Sequence, residues 1–235
     1  QAFVRHSPGD AYLKRLRDAY ALDRVVAGER SDYARVRAVS RWVRSRWEHN
    51  GSNEPQKPDP ISILREAAEG KRFRCVEYAV VLSGALNSVG IPARVLALKT
   101  EDAETRESGA GHVVAEAYLA DLKKWVMVDG QFDVIPTLKG RPLNAVELQR
   151  ALARGEKRLG VDSLSGASAE KYFAWVAPYL YFFDTKFDSR FEGAESKQSL
   201  MLVPVGAKPP AVFQRKWPLR MVYTNSLRAF YPKPS

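Results

Sequence analysis

The stretch Cys75-Val76-Glu77-Tyr78-Ala79-Val80-Val81-Leu82-Ser83-Gly84-Ala85-Leu86-Asn87-Ser88-Val89-Gly90 decides how the chain folds. Nearly every residue in it is apolar or small, and Gly90 ends it. We read it as a central buried helix over 75–89. Cys75 is the only cysteine among 235 residues and stands at that helix's N-terminus. The positive end of the helix dipole favours thiolate there, the nucleophilic form. A lone thiol makes no intramolecular disulfide and builds no cysteine-rich zinc site. Packing or reactivity remains.

Upstream, Ser7-Pro8 and Asp10 start a helix whose apolar stripe is Tyr12, Leu13, Leu16, Tyr20 and Val25, ended by Gly28. Ser31 caps a second helix, where Tyr33, Val36, Val39, Val43 and Trp47 recur every three or four residues and His49 closes the run. Residues 50–60 are loop, and Asp59-Pro60 opens a short helix to Ala68. Downstream, 91–99 reads as a strand, 101–111 as a mobile loop, and 112–119 with 125–129 as an antiparallel hairpin. Asn144 and Glu147 form a capping box for a helix to Ala153. The aromatic run Tyr172, Phe173, Trp175, Tyr179, Tyr181, Phe182 and Phe183 reads as core, and 200–205 and 219–223 as late strands. Helices come first and sheet follows, which predicts an α+β fold with segregated layers. We expect one domain over 1–235: helical from about 7 to 90, sheet from about 91, and a C-terminal extension from about 140.

Thiol chemistry needs a base, and the base needs an orienting group. The three histidines are His6, His49 and His112. His112 opens a strand after the glycine-flanked loop. A turn centred between Ala120 and Asp121, where apolar alternation breaks, sets His112 directly across from Asp129, with Cβ atoms about 5 Å apart. Asp129 then fixes one imidazole nitrogen and leaves the other toward Cys75. A turn centred on Leu122-Lys123 instead faces His112 with Asp133.

The phrases Phe73-Arg74-Cys75-Val76-Glu77-Tyr78, Gly90-Ile91-Pro92-Ala93-Arg94-Val95, Gly111-His112-Val113-Val114-Ala115-Glu116-Ala117-Tyr118 and Trp125-Val126-Met127-Val128-Asp129 resemble the bacterial transglutaminase-like superfamily. The resemblance covers about residues 42–133. It implies a papain-like core in which a helix-borne nucleophile packs on an antiparallel β-sheet. It also implies Cys75 as nucleophile, His112 as general base and acid, and Asp129 as orienter. The implied reaction is acyl transfer on an amide of a peptide, protein or cell-wall fragment, with hydrolysis favoured. Protein cross-linking by a transglutaminase, or a non-catalytic binding module, are the alternatives. The tetrahedral oxyanion needs donors: the Cys75 backbone N–H, and a second from Trp47, His49 or Asn53, which the residues leave open. Glu77 lies about 200° round the helix from the thiol and reads as structural, and Arg94 as a salt bridge tying helix to sheet.

The net charge is +10. Arg15, Arg17, Arg24, Arg35, Arg37, Arg41, Arg44 and Arg46 fall in the two N-terminal helices. They suit an anionic partner, but we favour a solvated basic face, because no nucleic-acid motif accompanies them. No apolar run is long enough to span a bilayer, and no cofactor, metal or calcium-loop motif is present. The chain begins with Gln1 rather than Met. We take this as processing or trimming and expect a periplasmic or secreted location.

Overall fold

The computed structural model describes residues 2–194 and 197–234. The helical half runs α1 (Ala11–Ala19), α2 (Leu22–Val25), α3 (Asp32–Arg44), α4 (Pro60–Ala68) and α5 (Cys75–Ser88). Side-chain caps fix its starts: Asp10 accepts from Leu13 N, Ser31 from Ala34 N and Asp59 from Ser62 N, each at 3.1 Å. Two expected helices differ. The first breaks at Ala21, whose φ of 49° is left-handed, so Tyr20 and Val25 lie on different helices. The second stops at Arg44. Trp47 and His49 therefore sit in the following loop.

The sheet half runs β1 (Ala93–Lys99), β2 (Gly111–Leu119), β3 (Lys124–Val128), β4 (Ile135–Leu138), β5 (Arg141–Pro142), α6 (Ala145–Ala153), β6 (Leu159–Asp162), α7 (Ala169–Val176), a 3-10 turn (Ala177–Tyr179), β7 (Phe182–Lys186), β8 (Ser199–Leu202), β9 (Val212–Phe213), β10 (Trp217–Pro218), β11 (Met221–Thr224) and α8 (Leu227–Phe230). The main sheet has the order β11-β8-β7-β1-β2-β3. Its pairs are antiparallel except β11 with β8. The result is α+β, with helices packed on an antiparallel-rich sheet. The small sheets β5-β4-β6 and β10-β9 escape the sequence reading, because their strands are two to four residues long.

Each face of the main sheet has its own core. On one face, α1, α3, α4 and the fully buried Val81, Leu82, Ala85 and Leu86 of α5 cover Ala93, Ala115, Ala117, Val126 and Val128. On the other, Leu96, Leu98, Val114 and Met127 meet side chains from α6, α7, β7 and β8. The alternation of β2 divides its residues between the faces. The segment beyond 140 supplies three of the six strands and closes the second core.

Arg94 does not tie the central helix α5 to the sheet. It lies directly across from Glu116 in the β1–β2 register, bonds that carboxylate at 2.7 Å and donates to Phe230 O at 2.8 Å. It joins the sheet to the C-terminal segment. The loop 101–111, expected to be mobile, is strapped by the β9–β10 hairpin. Gln214 N donates to Ala103 O at 2.7 Å, Arg215 N to Glu104 O at 3.1 Å, and Ala110 N to Gln214 Oε1 at 2.9 Å. Of the N-terminal arginines, Arg15, Arg17, Arg35, Arg37 and Arg44 each face a carboxylate. Among the described residues no helix is long and apolar enough to cross a membrane.

Candidate active site

Cys75 is the first residue of α5, so its backbone N–H belongs to the first turn, whose donors have no partner inside the helix. The side chain is half-buried and the thiol is free. Glu77 is buried at 1% exposure and turns away, accepting from Arg74 N at 3.1 Å and pairing with the Arg74 guanidinium at 2.8 Å. Its role is structural: it fixes the entry to α5.

The hairpin register differs from expectation. Ala115 pairs with Val128 and Leu119 with Lys124, which centres the turn between Asp121 and Leu122. Val114, not His112, therefore stands across from Asp129. The shift moves the partner by two residues, a whole side-chain period, so His112 and Asp129 keep one face as diagonal neighbours. His112 Nε2 lies 2.7 Å from Asp129 Oδ2, with both side chains buried. The Cys75 side chain also acts on the imidazole. Burial acts to lower the His112 pKa. The charge and hydrogen bond of Asp129, and then those of Cys75, outweigh it and push the imidazole up to about 9.

Asp129 is held on every side. Its Oδ1 accepts from Gln131 N at 3.1 Å and Phe132 N at 3.4 Å. Its Oδ2 also accepts from Tyr172 Oη at 2.8 Å. Gly130 lets this loop press on α5: a Cβ there would meet Leu82 Cδ2 at 3.2 Å and Tyr78 O at 3.4 Å. Asp133 goes elsewhere. Its φ of 53° turns the chain, and its carboxylate accepts from Ser165 N and Oγ at 2.9 and 2.8 Å.

The three other candidates separate. Asn53 donates from Nδ2 to Arg72 O at 2.9 Å and pins the loop. His49 is exposed yet near the cluster; its pKa is lowered by partial burial first and then by His112. Trp47 is buried at 6% exposure, 4.4 Å between centroids from Tyr78, one turn after Cys75, and edge-on to Phe73. Its indole Nε1 is buried and has no partner among the described residues.

The aromatic run is only partly core. Tyr172 is buried, but Trp175 is 38% exposed and stands edge-on to His112 at 4.7 Å between centroids. Tyr179 and Phe132 complete the wall. Sequence reasoning missed Tyr172 and Trp175 as site residues, because their spacing at 172, 175 and 179 is that of any packed helical stripe.

Residues 20–130 match the family model of the transglutaminase-like superfamily. No curated protein sequence matches the chain. Among solved structures it is similar to a candidate cysteine protease from Cytophaga hutchinsonii, at 13% identity and a TM-score of 0.42, over 64% of this chain and 47% of that one. It is also similar to the periplasmic domain of TgpA from Pseudomonas aeruginosa, at 19% identity and a TM-score of 0.39, over 52% and 45%. A third is Legionella pneumophila LapG, at 11% identity and a TM-score of 0.39, over 72% and 92%. The chain thus spans less than half the length of the first two. The helix-borne cysteine, the strand carrying His112 and the strand leading to Asp129 all lie inside the segment, 20–130, that matches the transglutaminase-like superfamily.

Proposed function

We propose that the protein is a thiol-dependent acyl-transfer enzyme that cleaves an amide bond in a peptide, protein or cell-wall fragment. The observation that carries this reading is the position of His112, bonded to Asp129 at 2.7 Å and within reach of the Cys75 side chain. In this reading the thiolate of Cys75 attacks the carbonyl carbon. The imidazolium of His112 then gives its proton to the departing amine, leaving a thioester. Water attacks the thioester, His112 takes its proton, and the acid product leaves with the thiolate and imidazolium restored. Asp129 keeps the ring oriented throughout.

Two donors suit the oxyanion: the backbone N–H of Cys75 and the unpartnered indole N–H of Trp47. Trp47 is favoured over Asn53, whose amide is committed to Arg72 O, and over His49, which is exposed. Trp175 and its aromatic neighbours would flank the acyl group.

The test is intact-mass spectrometry with peptidyl activated esters. We expect a single acyl adduct on Cys75, released by hydroxylamine and absent in Cys75→Ala. An adduct on lysines or the N-terminus alone, equal in both proteins, would contradict the proposal. Adding a primary amine separates hydrolysis from transfer, because a transferase diverts the acyl group to the amine.

A further inference from the structure

A cavity lies at the end of β2 away from His112. It has a volume of about 530 Å³, within the range of small-molecule sites, roughly 300–1,000 Å³. Cys75, His112 and Asp129 do not line it. In the β1–β2 ladder Leu98 pairs with His112, whereas Arg94 of the cavity pairs with Glu116. Four residues separate the two places, about 13 Å along a strand.

The chemistry of the cavity divides into floor, wall and rim. The floor is Arg94, already satisfied by Glu116 and Phe230 O and surrounded by the rings of Trp125, Phe230 and Tyr231 at 4.5 to 5.0 Å. The wall includes Val4 and Val222, which are 41% and 38% exposed. Those two are among only eight large apolar side chains exposed to that degree in the described residues. They converge on one concavity, which is where exposed apolar surface signals binding. The rim carries Lys186, Arg228 and Lys233, all exposed. Among the described residues none of the three forms an ion pair, and none that lines the cavity carries a side-chain carboxylate.

We propose that this cavity binds a single-chain amphipathic anion. Its apolar body lies along the Val4 and Val222 wall, and its carboxylate or phosphate headgroup meets Lys186, Arg228 and Lys233. A neutral apolar ligand would leave the three cations unanswered, and a cationic one would be repelled. The site is independent of the Cys75 chemistry, so its test needs no turnover.

Titration calorimetry with decanoate, decanol and decyltrimethylammonium, each below its micellar concentration, decides the matter. We expect decanoate to bind one to one, decanol at least tenfold more weakly, and the ammonium not at all. Combining Lys186→Gln, Arg228→Gln and Lys233→Gln should weaken decanoate at least tenfold and leave decanol unchanged. Ala229→Trp, at an exposed lining position, should abolish decanoate binding by filling the cavity. If that variant loses its circular dichroism signal, the charge variants, all on exposed side chains, still decide. Equal affinity for decanoate and decanol, a stoichiometry well above one, or no effect of the charge variants overturns the proposal. So does binding only to anionic phosphatidylglycerol vesicles.

Discussion

Strand β2 holds two buried charge pairs on one face, four residues apart, and they differ in what is left over. At Glu116 the pair is closed. Arg94 takes Glu116 Oε2 and Phe230 O, while Tyr231 Oη and Ala145 N bond Glu116 Oε1 at 2.9 and 3.3 Å. At His112 the pair is open. Asp129 is saturated by four donors, yet the imidazole also responds to Cys75. One pair, Arg94 with Glu116, bonds only its neighbours in the fold. The other can give up its proton near pH 9. A buried ion pair becomes a site when one partner titrates and one of its donors points outward.

The largest effect should fall on the closed pair. Glu116→Gln strands the Arg94 guanidinium in the core and should cost about 3–5 kcal/mol, read by urea unfolding, with the alkylation rate of Cys75 in the folded fraction unchanged. An equal fall in alkylation would mean the two ends of β2 are not separate. Trp47→Phe should do the reverse. Turnover should drop about 10²–10³-fold with the loss of an oxyanion donor, while iodoacetamide alkylation, which forms no oxyanion, stays level. A matching loss in alkylation would reduce Trp47 to a packing residue.

That second prediction depends on a residue whose place was only half legible. Trp47 continues the three-four spacing of α3, yet the helix stops at Arg44, where Ser45 Oγ bonds back to Trp42 O at 2.7 Å. The indole then turns onto Tyr78. Cys75, His112 and Asp129 were readable because each starts or ends an element with a clear apolar period. Their shared face survived a misplaced turn because side chains on a strand repeat every two residues. Tyr172 was not readable as a partner. It lies 43 residues from Asp129, and nothing local distinguishes a phenol that orients a carboxylate from one that fills a core. The strap on the 101–111 loop was hidden for the same reason, since its partners at 214 and 215 are over 100 residues away.

Proton linkage sharpens the contrast further. The folded-state pKa of His112 is raised, from 6.5 to about 9. Its contribution to stability is therefore full below about 6.5 and is lost as pH rises through about 9. Urea unfolding at pH 6 and pH 9.5 should show that fall in the parent protein and a smaller one in His112→Gln. A fall of equal size in both would assign it to another group. The smallest effect should come from Tyr172→Phe, at about 1 kcal/mol for one lost hydrogen bond. Without that phenol, Asp129 holds the imidazolium more strongly, so the alkaline limb of the alkylation profile should move upward. A limb that stays in place would make Tyr172 a packing residue.

The most direct test of the central claim is the iodoacetamide alkylation rate of Cys75 at mildly acidic pH in the parent protein, His112→Ala and His49→Ala. The parent thiol should react faster than a free thiol at the same pH, His112→Ala should slow it, and His49→Ala should leave it unchanged. A parent rate no faster than a free thiol, or equal losses in both variants, would contradict the pairing of Cys75 with His112.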